Sequence, residues 1–188
     1  MSLPNFFTTL RICSPIYFII IIICIKNKHE EAFLIFILFI ILSITDFLDG
    51  FFARKLNKTT LFGKIFDPIS DKILLSCALI YICSINKLVL IPSILILSRE
   101  FFISGLREYL LETKGKNVSV NYISKIKTTF QFLSISALLL HNYENYFFSY
   151  DYQFLAIILL WIATVLTLYT GFIYYYNVFS KSKAKDKI

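Results

Sequence analysis

Six long apolar runs, separated by short charged or turn-rich breaks, limit what this chain can fold into. They read as helices over residues 8–25, 32–53, 67–85, 88–105, 126–140 and 153–179. A helix needs about 20 apolar residues to cross a bilayer, so six crossings use about 120 residues and leave no room for a soluble domain of ordinary size. Of the 188 residues, 57% are hydrophobic and only 16% charged, which removes water as the main solvent. The expectation is one all-α polytopic membrane domain over residues 1–180, followed by a basic tail over 181–188. The first run could also be read as a signal peptide, but no small-residue cleavage pattern follows Ile25, so it is kept as a helix of the mature protein.

The net charge of +7 is explained by where the cations fall. With the N-terminus in the cytoplasm, fifteen of the 19 Lys and Arg residues lie on the cytoplasmic side, including Lys181, Lys183, Lys185 and Lys187 of the tail. Only Lys26, Lys28 and Lys87 lie opposite, and Arg99 is within a helix. That bias places both termini inside and makes a nucleic-acid partner unnecessary; the tail touches anionic headgroups of membrane lipid instead. A bacterial-type inner (cytoplasmic) membrane is the expected location. Cys13, Cys24, Cys77 and Cys83 lie in apolar runs without metal-ligand spacing and read as small core residues. His29 and His141, at the ends of apolar runs, read as wet interfacial residues.

Against this background the acids are informative, and four of the twelve fall within 26 positions. Asp46 and Asp49 share a helical face by their spacing of three, as do Asp67 and Asp71 by their spacing of four. A carboxylate near the membrane interior costs about 2.5–3.5 kcal/mol on insertion scales, and four neighbouring anions repel one another. Hard oxygen ligands select Mg²⁺ or Mn²⁺ to offset them, and Mg²⁺ keeps positions open for substrate phosphates, which points to phosphoryl chemistry. The bland alternative has Asp46 and Asp49 in a loop or paired with Arg54 and Lys72, and Asp67 as the N-cap before Pro68. Gly50 and Ala53 follow the first two acids by one turn and strip their face of bulk, although helix packing also explains small residues in membranes. Gly63 reads equally well as a plain loop glycine.

The stretch from Asp46 to Asp71 reads D-x2-D-G-x2-A-R-x8-G-x3-D-x3-D, and it resembles without departure the signature of the CDP-alcohol phosphatidyltransferases. The resemblance implies six transmembrane helices, a polar cavity open to the cytoplasm, a homodimer, and transfer of a phosphatidyl group from a CDP-linked lipid to an alcohol with release of CMP. Residues 3–11, with sequence LPNFFTTLR, resemble the N-terminal amphipathic segment of the branch that uses glycerol 3-phosphate. Ser98-Arg99-Glu100, Gly105-Leu106-Arg107-Glu108 and residues 124–129 resemble the same branch rather than those that use serine or inositol.

Carried onto this sequence, the family pattern implies that Asp46, Asp49 and Asp67 hold one or two divalent ions. Asp71 takes the proton of the acceptor hydroxyl and also touches metal. Arg54 grips the diphosphate of CDP-diacylglycerol, which Asp46 and Asp49 also contact, and Gly50, Ala53 and Gly63 make room for the cytidine. Arg99 lies about 16 Å along its helix at 1.5 Å per residue, which makes it an intramembrane cation in need of an anion. Glu100, adjacent on the helix, points elsewhere. Arg99, Arg107, Lys125 and Lys127 form a cluster suited to an acceptor that bears its own phosphate, glycerol 3-phosphate, whereas serine requires none. For the lysines the alternative is a positive-inside anchor that snorkels to headgroups. Two competing readings are another acceptor within the same family and a carrier whose carboxylates line an ion path. A carrier would distribute its acids through several midplane helices.

Overall fold

The computed structural model describes residues 3–55, 61–114, 122–143 and 150–183, with side chains described for 5–45, 63, 65–110, 126–141 and 152–178. The described residues form α1 (Leu3–Ile12), α2 (Ser14–Cys24), α3 (Lys28–Lys55), α4 (Leu61–Ile85), α5 (Leu90–Lys114), α6 (Tyr122–Tyr143) and α7 (Tyr150–Lys183), with a single 3-10 turn at Lys87–Val89. Six of these helices, all but α2, extend beyond the expected apolar runs, mostly into polar or charged ends. Hydropathy marks the stretch that avoids water, while good helix formers continue the helix past it.

The first expected helix is broken. α1 and α2 meet at Cys13 with a bend of 45°. Pro15 has no N–H to give to the Arg11 carbonyl, and the Ile16 N–H turns to the Cys13 carbonyl at 3.0 Å instead. At the other end of this segment Asn27 starts α3, its Oδ1 accepting from the His29 N–H at 3.1 Å while its Nδ2 donates to Glu30 at 3.0 Å.

Large apolar residues face outward as well as inward, and several polar residues are buried among the helices. Ile23, Leu88, Phe154 and Phe172 are exposed, while Arg11, Glu31, Ser70, Ser134, Thr164 and Thr167 are buried. A surface of this kind is stable against lipid rather than water. The stretches 65–85, 87–110 and 152–178 are each long and apolar enough to cross a membrane, and the bent pair α1–α2 makes a fourth crossing if it counts as one span.

The core runs through the middle of the bundle. Ile35, Phe39 and Leu42 of α3, Leu74, Ala78 and Ile82 of α4, Ile135 and Leu139 of α6, and Leu160 of α7 recur every three to four residues and close on one another. Phe39 stacks on Phe132, with ring centroids 5.7 Å apart. α7 presents small residues inward (Ala156, Ala163, Thr164, Thr167, Thr170 and Gly171), so α6 and α5 pack directly against its backbone. α1 lies against both α3 and α4 and links the two helices that carry the acidic signature.

Two expectations about single residues change. His141 is buried at 8% exposure beside Tyr152, not wet, because α6 carries it to the α7 contact. The four cysteines are free, but Cys24 is exposed at the end of α2, on a face turned away from the bundle.

Candidate functional site

α4 carries Asp67 and Asp71 one turn apart on one face. Asp67 is not an N-cap, because α4 begins at Leu61, more than a turn earlier, and Pro68 lies inside the helix. Gly63 belongs to the first turn of the same helix and is buried.

Both carboxylates are held from α1. Thr8 Oγ1 donates to Asp67 Oδ1 at 2.6 Å, Arg11 Nη2 stands 3.7 Å from that same oxygen, and Arg11 Nη1 pairs with Asp71 Oδ1. The Arg11 side chain is 0% exposed, whereas those of Asp67 and Asp71 are 44% and 49% exposed. The cation therefore grips the pair from the buried side and leaves its outer edge open. A planar guanidinium suits this task because one fork reaches two acceptors. α1 is thus amphipathic with its polar face turned inward, Thr8 and Arg11 buried and Phe6 exposed.

Asp46, Asp49, Gly50, Ala53 and Arg54 all lie in the last ten residues of α3, but their side chains are outside the described residues, as is that of Lys125. Among the described residues no three His, Cys, Asp or Glu side chains gather as a metal site. Asp67 and Asp71 nevertheless have the donor chemistry of a hard dication: carboxylate oxygens one turn apart, half exposed, with Oδ1 fixed from behind.

A second polar cluster adjoins the first. Lys72 Nζ hydrogen-bonds Ser104 Oγ of α5, so Lys72 ties α4 to α5. It also lies within electrostatic reach of Asp71, Glu100 and Arg107. Glu100 is the partner that adjacency on the helix had argued against: its Oε1 accepts from Arg99 Nη1 at 3.3 Å and from Lys127 Nζ. The backbone directions of neighbours do diverge, but long flexible side chains fold back across the α5–α6 boundary and meet. Arg99 Nη2 donates to Thr170 Oγ1 of α7 at 3.0 Å. Side-chain exposures of 11% for Arg99, 15% for Glu100 and 6% for Lys127 show a nearly dry junction of three helices. Lys127 is accordingly no snorkelling anchor. Arg107 is exposed, two turns beyond Arg99 and within electrostatic reach of both Arg99 and Lys127.

Next to this junction α5 and α7 enclose a groove of about 570 Å³ lined by Leu95, Arg99, Phe102, Ile103, Phe172 and Tyr175 among others. Its walls are apolar, so it is not the polar cavity expected around the acids, part of which falls on residues 46–62.

Thr8, Arg11, Lys72 and Glu100 were given no place in the site from the sequence. The available signal was weak: the Thr8–Arg11 spacing of three puts both on one face, but a lone arginine before an apolar run reads first as an orientation charge.

The profile of the CDP-alcohol phosphatidyltransferase family matches residues 1–169. A protein of Rickettsia felis named CDP-diacylglycerol–glycerol-3-phosphate 3-phosphatidyltransferase is 42% identical over 174 residues, covering 93% of each chain. Proteins of the same name are 45% identical over 139 residues in Bacillus subtilis, covering 74% of this chain and 70% of that one, and 36% identical over 172 residues in Haemophilus influenzae, covering 90% and 89%.

Proposed function

The chain belongs to the CDP-alcohol phosphatidyltransferase family, and from that premise we propose that it transfers the phosphatidyl group of CDP-diacylglycerol to glycerol 3-phosphate, giving phosphatidylglycerophosphate and CMP. The observation that carries this reading is the half-exposed pair Asp67 and Asp71, gripped from behind by buried Arg11 and adjoining a dry cluster of cations.

In the reaction, the acceptor's primary hydroxyl oxygen forms a bond to the lipid-side phosphorus of CDP-diacylglycerol. The bond from that phosphorus to the bridging oxygen breaks, and CMP leaves with the electron pair. Asp71 takes the hydroxyl proton. Arg11 holds Asp71 Oδ1 from behind and aims that carboxylate outward, and Thr8 does the same for Asp67 through a hydrogen bond. Mg²⁺ or Mn²⁺ held by Asp46, Asp49, Asp67 and Asp71 supplies, when bound, neutralisation of the diphosphate during transfer. Arg54 grips the diphosphate, and Gly50, Ala53 and Gly63 leave space for cytidine. Arg99, Arg107, Lys125 and Lys127 bind the acceptor's own phosphate, the group that separates glycerol 3-phosphate from serine.

The protein is an integral membrane enzyme of six spans, with α1–α2 the first, both termini and the site at the cytoplasmic face of an inner membrane, and it acts as a homodimer. The decisive assay supplies purified protein with CDP-diacylglycerol, Mg²⁺ or Mn²⁺, and in turn glycerol 3-phosphate, phosphatidylglycerol, inositol phosphate and serine, and measures CMP release. Release with glycerol 3-phosphate alone is expected. Release with another acceptor instead reassigns the branch, and none with any acceptor removes the enzymatic reading.

A further inference from the structure

Two buried cations that bind an acceptor's phosphate need something to hold them apart and in place before it arrives. Arg99 and Lys127 come from different helices, and the same carboxylate oxygen, Glu100 Oε1, accepts from both. We propose that Glu100 is a positioning residue for the acceptor: it touches no substrate but fixes Arg99 and Lys127 in the geometry that receives a phosphomonoester. This rests on the acceptor reading of Arg99 and Lys127 given above.

Three features carry the inference. The junction is nearly dry, so like charges brought together there repel strongly unless an anion lies between them. Two cations around one carboxylate retain a net positive charge, which an incoming phosphate can use, and Arg107 adds to it from the exposed side. The guanidinium of Arg99 is also fixed on its other flank. Thr170 takes Nη2, and a Cβ added at Gly171 would lie 2.8 Å from Nε, so only glycine leaves that side chain where it is. Arg99 Nε is buried with no hydrogen-bond partner among the described residues. Glu100 and Gly171 thus constrain the same guanidinium from α5 and α7, and disturbing either has one predicted signature.

The test is steady-state kinetics of the full-length enzyme in mixed micelles, varying each substrate separately, with the thermal midpoint of every variant recorded. Glu100→Gln is expected to raise the KM for glycerol 3-phosphate by about 10- to 100-fold, the usual effect of removing an orienting partner, and to leave the KM for CDP-diacylglycerol unchanged. Glu100→Asp keeps the charge and recovers part of the loss. Gly171→Ala, which displaces Arg99 without touching Glu100, gives the same selective rise, and keeps the idea testable should Glu100→Gln fail to fold. An unchanged acceptor KM in folded Glu100→Gln overturns the proposal. So does a lower one, which makes Glu100 a competing counter-charge, and so does an equal rise for both substrates, which makes it a general support of the fold. Arg99→Gln separates the two levels: if it raises the acceptor KM while Glu100→Gln does not, only Glu100's role falls, and if neither does, the acceptor site falls with it.

Discussion

Asp67 and Asp71 are the same residue type one turn apart and share Arg11, yet only Asp67 also takes a hydrogen bond from Thr8, and their expected roles differ. Asp71, paired with Arg11 Nη1, is the proton acceptor of the proposed reaction. Asp71→Asn is expected to lower kcat by about 10²- to 10⁴-fold, the range for loss of a general base, with CDP-diacylglycerol binding largely retained in an equilibrium binding assay. Asp49→Asn, by contrast, is expected to abolish the metal-dependent part of that binding; full metal-dependent binding in this variant would remove Asp49 from the ligand set. Arg11 provides a sharper check. Arg11→Lys keeps the charge but not the fork, so it cannot reach both aspartates, and kcat is expected to fall by about 10- to 100-fold with both KM values little altered. Wild-type kcat in that variant would reduce Arg11 to an orientation charge.

At the scale of helices, α7 holds the bundle together through small and hydroxyl-bearing residues rather than bulk. Gln131 Nε2 of α6 donates to Thr167 Oγ1 of α7 at 3.0 Å, and both residues are buried. Interhelical hydrogen bonds in membranes contribute about 0.6 kcal/mol on average and at most about 1.7. Thr167→Val conserves shape and removes the acceptor, so a stability loss within that range is expected in a reversible unfolding titration. A loss several times larger would mean that packing, not the hydrogen bond, is what Thr167 supplies. The bend between α1 and α2 belongs to this scale too: it turns the N-terminal helix so that Thr8 and Arg11 reach α4 while α2 packs on α4 and α3.

For the whole molecule, a bundle with polar groups inside and isoleucine, leucine and phenylalanine outside has one compatible solvent, the hydrocarbon of a bilayer. The charge bias gives the expected direction of crossing, which can be tested directly. Cysteines introduced one at a time at Ser182 and at Ser149, in a background where Cys13, Cys24, Cys77 and Cys83 are replaced, are expected to react with an impermeant thiol reagent on opposite faces. Position 182 should be reachable only from the cytoplasmic side. Labelling of both positions from one side contradicts an odd number of crossings between them.

Much of this was legible from the sequence. Hydropathy indicates the membrane class and roughly where the apolar helices lie, but not their ends or the break at Cys13, because each apolar run reports only whether its segment tolerates water. A spacing of four residues places Asp67 and Asp71 on one face, since helical periodicity is a local property. The signature from Asp46 to Asp71 led to the family that residues 1–169 match. The tertiary structure decided which charge meets which. Arg11 finds Asp71 from 60 residues away, and Lys127 finds Glu100 from 27. These pairings depend on which helices pack together and on how far flexible side chains reach across the contact, and neither is encoded in the spacing of residues along one helix.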